Sequence, residues 1–168
     1  QTEQKILEML SILMKESLEE DTYIWNLLFL PHEYNIENTI ENIKNWKAKY
    51  WYGYIVDWRL VGFMRIMQSF QNLERVEHHF SIRMLYISLQ YRGRWYAQEM
   101  IHFSINSIIQ EFRNISLFHF ELDVQSENEK AIKLYNKIWF KKTWEYEYAI
   151  KIWNEYKSLS HSEKNITQ

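Results

Sequence analysis

The chain is poor in the residues that usually make turns and cross-links. It has no cysteine, one proline and 3 glycines, whereas average usage of about 7% would give roughly 12 glycines. Without cysteine, neither a disulfide framework nor a thiolate zinc site can form. Its turns must therefore be built from other residues, and the chain is instead rich in tryptophan, with 8.

Charge of one sign and long apolar runs are also missing. There are 20 basic and 22 acidic residues, for a net charge of -2, and no basic patch accompanies the aromatic residues, so no nucleic-acid partner is expected. No apolar run approaches the roughly 20 residues that span a bilayer, and no signal peptide opens the chain. These absences predict a cytoplasmic protein with no membrane partner, and they leave a homodimer open.

Helical and strand-like periodicities alternate along the 168 residues, which predicts an α/β fold. We expect one domain over residues 1–160 and a polar, frayed tail over residues 161–168. The predicted helices lie at 5–20, 36–49, 95–112 and after a cap at Ser126 or Asn128. The predicted strands lie at 50–56, 60–67, 77–89, 117–124, 140–151 and 155–160.

A basic turn that contains glycine links the long strand at 77–89 to the helix at 95–112. The first backbone N–H groups of a helix, together with its dipole, favour a bound phosphate. Arg92 and Arg94 would add charge-assisted hydrogen bonds. Taken alone, the segment is equally compatible with an ordinary solvated turn.

Four segments follow one another in an order that is typical of one enzyme family. Residues 57–63 read DWRLVGF, residues 91–97 read YRGRWYA, residues 128–135 read NEKAIKLY and residues 138–140 read IWF. In this order they resemble the hairpin, the pyrophosphate turn, the Asn-capped helix and the Leu-Gly-Phe segment of the GNAT superfamily of N-acetyltransferases. The likeness covers about residues 5–157. The family's opening strand is not recognisable before Lys5.

The resemblance implies a mixed, mostly antiparallel central sheet flanked by helices. It also implies an enzyme that moves an acetyl group from acetyl-CoA to a primary amine of a small molecule or peptide, by direct attack on the thioester and without a metal. Residues 21–35 and 69–78, which would line the acceptor pocket, carry no motif. The alternative is a catalytically inactive relative that binds CoA or serves as an interaction module.

Roles for individual residues also come from the resemblance. The cofactor-binding residues would be main-chain groups on the long strand and at the turn, with Asn128 on the pantetheine side: Leu85, Tyr86, Ile87, Arg92, Gly93, Arg94, Trp95, Tyr96 and Ala97. Tyr135 would protonate the departing thiolate, because a thiolate leaves more easily when a proton arrives with the charge. A core tyrosine with a satisfied hydroxyl is the alternative for that residue.

The general base is not assigned by the resemblance. Many relatives have a glutamate on the long strand, at the position aligned with Ile82. Glu77, His78 and His79 are the nearest candidates, and histidine suits the task because its unperturbed pKa is about 6.5. Either histidine could also be an ordinary surface residue. A metal fragment at His78-His79 is disfavoured, because adjacent residues of a strand point to opposite faces.

Five tryptophans stand where relatives would have glycine: Trp58, Trp95, Trp139, Trp144 and Trp153. Trp58 lies in a two-residue hairpin, where positive φ is needed at both turn positions. Holding a non-glycine residue in such a conformation costs on the order of 1–3 kcal/mol. An altered or recoded version of a natural sequence would explain the repeated pattern; alternatively the turns adopt other types, with the rings on the surface.

Overall fold

The computed structural model describes residues 2–20, 36–44, 50–69, 78–152 and 155–167. The chain divides into two compact units. The first comprises Gln1–Ile66 and Met84–Ser104, and the second Met67–Arg83 and Ile105–Gln168. No helix in the described part of the chain is long and apolar enough to cross a membrane.

The described elements follow the predicted alternation of helices and strands. The helices are α1 (Thr2–Glu20), α2 (Ile36–Lys44), α3 (Tyr96–Glu111) and α4 (Glu129–Lys137), and a 3₁₀ turn at Leu89–Tyr91 precedes α3. The strands are β1 (Trp51–Val56), β2 (Arg59–Ser69), β3 (His78–Ile87), β4 (Leu117–Gln125), β5 (Lys141–Ile152) and β6 (Glu155–Thr167).

The six strands form one sheet in the order β1-β2-β3-β4-β6-β5. The pairs β1–β2, β4–β6 and β5–β6 are antiparallel, and β3–β4 is parallel. With helices flanking it, this sheet confirms the predicted mixed, mostly antiparallel α/β fold. The first described element is a helix, in agreement with the missing strand signal before Lys5.

In the first unit, α1 and α2 bury their apolar stripes against residues of β2 and β3. The inward positions of α1 recur every three or four residues, which is the spacing that puts them on one face of a helix. The buried cluster comprises Leu7, Leu10, Leu13, Met14, Ile36, Ile40, Leu60, Phe63, Met84 and Tyr86. Burying one such side chain contributes about 1.5–3 kcal/mol, so this cluster is the main support of the unit.

Close packing of β2 on β3 depends on Gly62. A Cβ atom built at this position would lie 2.9 Å from the carbonyl oxygen of Tyr86 and would collide with the side chain of Ile87. Glycine therefore lets β2 approach the end of β3, which is the segment expected to bind the pantetheine arm.

In the second unit, one face of β3 and β4 is aromatic. Phe80 and Phe120 are stacked at 5.4 Å between ring centroids, and Phe112 at the end of α3 packs on Phe80 at 5.9 Å. The alternating pattern predicted for β4 is confirmed, since its apolar members are all buried: Phe118, Phe120, Leu122 and Val124.

Strand β6 corrects the predicted C-terminal tail. Residues 161–167 are not frayed; they continue the strand and pair with β4, from Leu117↔Thr167 to Gln125↔Leu159. The sequence of β6 is polar and lacks the apolar alternation by which a strand is recognised. Its backbone hydrogen bonds to β4 stabilise it instead. Ser160 and Ser162 are buried in this strand. The assignment of residues 1–160 to a single domain stays a prediction.

Three of the five tryptophans at predicted glycine positions have left-handed backbones. Their φ values are 63° at Trp58, 68° at Trp95 and 72° at Trp139, and their rings are 89%, 60% and 76% exposed. The turns have therefore kept the conformation that favours glycine and have not changed type. The side chain of Trp144 and all of Trp153 lie outside the described residues.

Candidate functional site

The turn before α3 is built around two left-handed residues. After the 3₁₀ turn at Leu89–Tyr91, Gly93 has φ 77° and Trp95 has φ 68°. Helix α3 then starts at Tyr96, and the first helical hydrogen bond runs from the N–H of Glu99 to the carbonyl of Trp95. Two left-handed residues so close together turn the chain abruptly into the helix.

Several backbone N–H groups of this turn have no acceptor among the described residues. They belong to Gly93, Arg94, Tyr96 and Ala97, and they include the N–H groups that a helix start leaves without an intrahelical partner. The N–H of Arg92 is different, because it donates to the carbonyl of Leu89 at 3.3 Å. The turn can therefore bind an anion through several backbone N–H groups. The N–H of Arg92 is not among them, because it is already used.

The two arginines of the turn lie against aromatic rings. The Nε of Arg92 donates to the carbonyl of Ile87 at 2.8 Å, and its guanidinium lies 5.4 Å from the ring centroid of Tyr86. The guanidinium of Arg94 lies 5.8 Å from the ring centroid of Tyr91. Both cations thus stay beside the turn, where they add positive potential to that of the helix start.

A hydrogen-bonded pair near the helix start was not predicted from the sequence. The hydroxyl of Tyr54 donates to the carboxylate of Glu99, and its ring stacks on Tyr96 at 4.6 Å. The hydrogen bond to Glu99, with burial, raises the pKa of Tyr54 to about 12. These contacts hold the first turn of α3 to β1, and no local motif could have signalled a pairing between residues so far apart in the chain.

The end of β3 carries the segment predicted to bind pantetheine. The paired register of β3 with β4 covers only His78–Ile82 against Phe118–Leu122. Met84 then takes a φ of 43°, and Tyr86 and Ile87 are buried while Leu85 is half-buried. The hydroxyl of Tyr86 donates to Glu16 of α1 at 3.1 Å. The side chains of this segment are thus anchored in the first unit, and its main chain continues past the paired register.

In the second unit, Asn128 caps α4. Its side-chain oxygen accepts a hydrogen bond from the N–H of Ala131 at 3.1 Å. This confirms one of the two predicted caps, and it means that the amide oxygen of Asn128 is used inside the protein. The amide nitrogen is the part of the side chain that can donate to a ligand.

Tyr135 is the buried residue of α4. It is 9% exposed, its ring meets Phe140 edge-on at 6.3 Å, and its hydroxyl has no hydrogen-bond partner among the described residues. Burial raises the pKa of Tyr135 to about 12, so the phenol keeps its proton at neutral pH. Among the described residues nothing satisfies the hydroxyl, and the choice between a leaving-group role and a core tyrosine stays a prediction.

The candidate bases have different surroundings. Glu77 lies outside the described residues. His78 packs on the ring of Phe112 at 4.4 Å, on the aromatic face. His79 points to the opposite face, where its Nε2 lies 2.9 Å from a carboxylate oxygen of Glu121. Ile82, at the position where many relatives have glutamate, is 5% exposed and belongs to the core.

Sequence reasoning missed the polar face to which His79 belongs. His119 and Glu121 alternate with the buried phenylalanines of β4, and His161 and Glu163 occupy the neighbouring strand β6. The alternation of histidine and acidic residues with phenylalanine was a readable signal. Which strands bring these residues together was not, because strand pairing is a long-range property.

Comparison with known proteins agrees with these features. The sequence model of the acetyltransferase (GNAT) family matches residues 14–140. No curated protein matches the chain significantly. The fold is similar to that of a ribosomal-protein-alanine N-acetyltransferase from Brucella melitensis, with 16% identity over 95% of this chain and 94% of that one and a TM-score of 0.73.

Two other solved structures show the same fold. An N-acetyltransferase from Staphylococcus aureus Mu50 has 14% identity over 94% of this chain and 92% of that one, with a TM-score of 0.70. A structure from Salmonella typhimurium that contains its cofactor acetyl-CoA has 10% identity over 78% of this chain and 73% of that one, with a TM-score of 0.63. The family match covers more than half of the chain and confirms the predicted enzyme class. This chain belongs to the acetyltransferase (GNAT) family.

Proposed function

We propose that the protein transfers an acetyl group from acetyl-CoA to a primary amine of a small molecule or peptide, by direct attack of the amine on the thioester. The observation that carries the proposal is the start of α3, where backbone N–H groups that have no acceptor in the described part of the chain lie in and just after a glycine-containing basic turn. An anion such as a pyrophosphate is the ligand for which such a helix start is suited.

The cofactor-binding roles follow from these surroundings. The N–H groups of Gly93, Arg94, Tyr96 and Ala97, with that of Trp95 between them, are proposed to hold the pyrophosphate. Arg92 contributes charge rather than a main-chain hydrogen bond, because its N–H is already used. Main-chain groups of Leu85–Ile87 would pair with the pantetheine arm like an added strand.

Tyr135 is proposed to stabilise the leaving thiolate. Its pKa of about 12 lies above the roughly 8.5 of an ordinary thiol, so complete proton transfer to a free thiolate would be uphill. A hydrogen bond from the hydroxyl to sulfur strengthens as negative charge develops there, which lowers the barrier without requiring early proton transfer. The thiol gains one proton as it leaves, and the attacking amine loses one, so Tyr135 ends the reaction as the neutral phenol.

His79 is proposed as the group that receives the proton of the attacking amine, directly or through water. Nε2 of its imidazole lies 2.9 Å from a carboxylate oxygen of Glu121. Of the candidates in the described part of the chain, His78 is less suited because it packs among aromatic rings. Glu77 remains a candidate outside the described residues.

A non-catalytic CoA-binding or interaction module is the second candidate function. Two observations favour it: Trp95 replaces the central glycine of the pyrophosphate turn, and Ile82 is a core residue where many relatives have an acid. The amine acceptor of an active enzyme would bind near residues 21–35 and 69–78, of which only Ser69 and His78 belong to the described residues.

Release of free CoA thiol with a panel of amines tests the proposal directly. The chain contains no cysteine, so a thiol reagent gives no background from the protein. The panel should include polyamines, amino sugars and peptides with free N-termini, and acetyl-CoA binding should be measured in parallel by calorimetry. Turnover with any amine supports the proposal. Binding of acetyl-CoA without turnover on the whole panel would favour the second candidate. Absence of acetyl-CoA binding would contradict the proposed acetyl transfer and leave only a non-catalytic interaction module.

A further inference from the structure

A group of histidine and carboxylate side chains lies on one face of β3, β4 and β6 in the second unit. We name it the histidine face and define it by His79, His119, Glu121, His161 and Glu163. In the strand register, His79 is opposite His119 and Glu121 is opposite Glu163. The aromatic side chains of the same strands point to the other face, because successive residues of a strand alternate.

The Nε2 atom of each of the three histidines lies close to at least one of the two glutamates. Nε2 of His79 lies 2.9 Å from Glu121, and Nε2 of His119 lies 3.9 Å from Glu163. Nε2 of His161 lies 3.7 Å from Glu121 and 3.1 Å from Glu163. The donor atoms of His79, His119 and Glu121 lie within 4.8 Å of one another.

Two of the imidazoles are oriented by their second nitrogen. Nδ1 of His119 lies 2.6 Å from the amide oxygen of Asn165, and Nδ1 of His161 lies 2.7 Å from a carboxylate oxygen of Asp123. At His119, an oxygen that only accepts requires Nδ1 to carry the proton, so in the neutral ring Nε2 presents its lone pair. Nε2 of His161 is already within hydrogen-bond distance of a carboxylate oxygen of Glu163, at 3.1 Å, so this argument applies to His119 alone. The contact of His119 with Asn165 is the arrangement found around metal-ligating histidines, in which an oxygen fixes the tautomer of the ring.

Carboxylates outnumber the permanent cations on this face, where Lys141 is directly opposite Glu163 in the β5–β6 ladder and Arg83 pairs with Asp123. Glu121 and Glu163 are directly opposite each other in the β4–β6 ladder, where like charges are destabilising. Asp123 adds a third carboxylate. A guanidinium nitrogen of Arg83 lies 3.4 Å from a carboxylate oxygen of Asp123, and this is the ion pair with a permanent cation that these carboxylates form in the described part of the chain. With neutral histidines the group is therefore anionic.

The contact between His79 and Glu121 also favours a bound cation. Although Nε2 is 2.9 Å from the carboxylate oxygen, it is a buried atom with no properly directed hydrogen bond among the described residues. The two donor atoms are close without satisfying each other. A cation between His79, His119 and Glu121 would satisfy both.

We propose that the histidine face binds a divalent transition-metal ion of the zinc class, with His79, His119 and Glu121 as ligands and His161 or Glu163 able to complete the coordination. Zinc bonds to nitrogen and oxygen are about 2.0–2.2 Å long, so two ligand atoms can be at most about 4.4 Å apart. Small side-chain rotations close the present spacing of up to 4.8 Å. Imidazole ligands favour zinc, cobalt or nickel over magnesium and calcium, which prefer oxygen alone.

The site is tested with the whole chain, without an affinity tag, after dialysis against a chelator and in the absence of CoA. We expect calorimetry with zinc chloride to show one equivalent bound, and magnesium chloride to show none. Cobalt chloride should give the visible absorption of a bound, low-coordinate ion. This test does not depend on the proposed acetyl transfer, since its result is the same whatever the protein acetylates.

Variants separate these ligands from other histidines. His119→Ala and Glu121→Gln should each weaken zinc binding by more than the roughly 10–100-fold typical of an outer-shell change, and Asp123→Asn should weaken it by about that factor. His102→Ala removes an exposed histidine of α3 and serves as the matched control. Circular dichroism establishes that each variant is folded.

Two results would overturn the proposal: no stoichiometric zinc binding by the folded wild-type chain, or equal zinc affinity in wild type, His119→Ala and Glu121→Gln.

An ion on Nε2 of His79 would also prevent that atom from accepting a proton. If His79 is the base, saturating zinc should therefore suppress turnover; if zinc binds and turnover is unchanged, the base lies elsewhere and the metal site stands.

Discussion

Helices α3 and α4 begin in contrasting ways. At α4, Asn128 accepts a hydrogen bond from the N–H of Ala131 and closes the helix start with its own side chain. At α3, the preceding residue is Trp95, which offers no side-chain acceptor, and the N–H groups of Tyr96 and Ala97 have no acceptor among the described residues. The difference suggests that the start of α4 is organised for stability, and that of α3 for a ligand.

The end of α4 is also closed by the protein. The N–H of Phe140 donates to the carbonyl of Tyr135, and that of Trp139 donates to the carbonyl of Asn136. This is the Schellman pattern of hydrogen bonds, whose left-handed position is usually glycine and here is Trp139. Hydrogen bonds within the protein therefore close both ends of the helix that carries Tyr135. Changes in the two helices should therefore affect different measurements.

The largest expected effect is on turnover, from Tyr135→Phe. General-acid contributions are typically on the order of 10²–10⁴-fold, so kcat should fall by about that factor while acetyl-CoA affinity changes little. Tyr52→Phe is the matched control, because it removes a hydroxyl that donates to the carbonyl of Ser104 in the first unit. A loss of less than tenfold in kcat would argue against the assigned role of Tyr135.

The next effect is on cofactor affinity, from Trp95→Gly. Glycine keeps the left-handed conformation and removes an indole from a turn whose N–H groups must approach the pyrophosphate. We expect acetyl-CoA to bind more tightly by about 1–2 kcal/mol in calorimetry at fixed salt. Trp58→Gly, the same substitution at another left-handed position, should leave the affinity unchanged. Unchanged or weaker binding by Trp95→Gly would show that the ring already points away or stacks on the cofactor.

A smaller effect, on stability, is expected from Asn128→Ala. Loss of the cap should lower the free energy of unfolding by about 1 kcal/mol, measured by denaturant titration. Asn128→Asp keeps the acceptor and should preserve stability, but it removes the amide donor and should weaken acetyl-CoA binding. If Asn128→Asp binds acetyl-CoA normally, Asn128 is a cap and not a cofactor ligand.

The smallest effect is expected from Trp139→Gly. A left-handed conformation costs a non-glycine residue roughly 1–2 kcal/mol, and the greater freedom of glycine in the unfolded chain offsets about 0.5–1 kcal/mol of the gain. The variant should therefore be more stable by about 0.75 kcal/mol, within a range of about 0–1.5 kcal/mol. Trp139→Ala retains the strain and should show no gain; equal stabilisation by both would mean that the exposed indole, and not the backbone, is the source.

The sequence predicted those parts of the fold that depend on local periodicity. The apolar stripe of α1 located that helix apart from its first three residues, the alternation in β4 located that strand apart from its last residue, and the motif at 128–135 located α4 and its cap. The C-terminal part of β6 was missed because a polar strand is held by its pairing partner rather than by its own apolar residues.

The candidate site was predictable to a similar extent. Local motifs identified the turn before α3 and the segment containing Tyr135. The contact of Tyr54 with Glu99 and the convergence of His79, His119 and His161 depend on which strands are neighbours, and a single sequence does not state that.

The three left-handed tryptophans also bear on how the gene is decoded. Trp51 differs from them, since it lies in a strand and packs on Phe63 at 6.2 Å as a tryptophan ordinarily does. Some codons are read differently by different cells. If the cell reads as glycine a codon that is translated here as tryptophan, the translated sequence has indoles at the turns that need glycine. We expect mass spectrometry of the protein from its native source to find glycine at 58, 95 and 139. Tryptophan in those peptides would mean that the cell makes the strained chain itself.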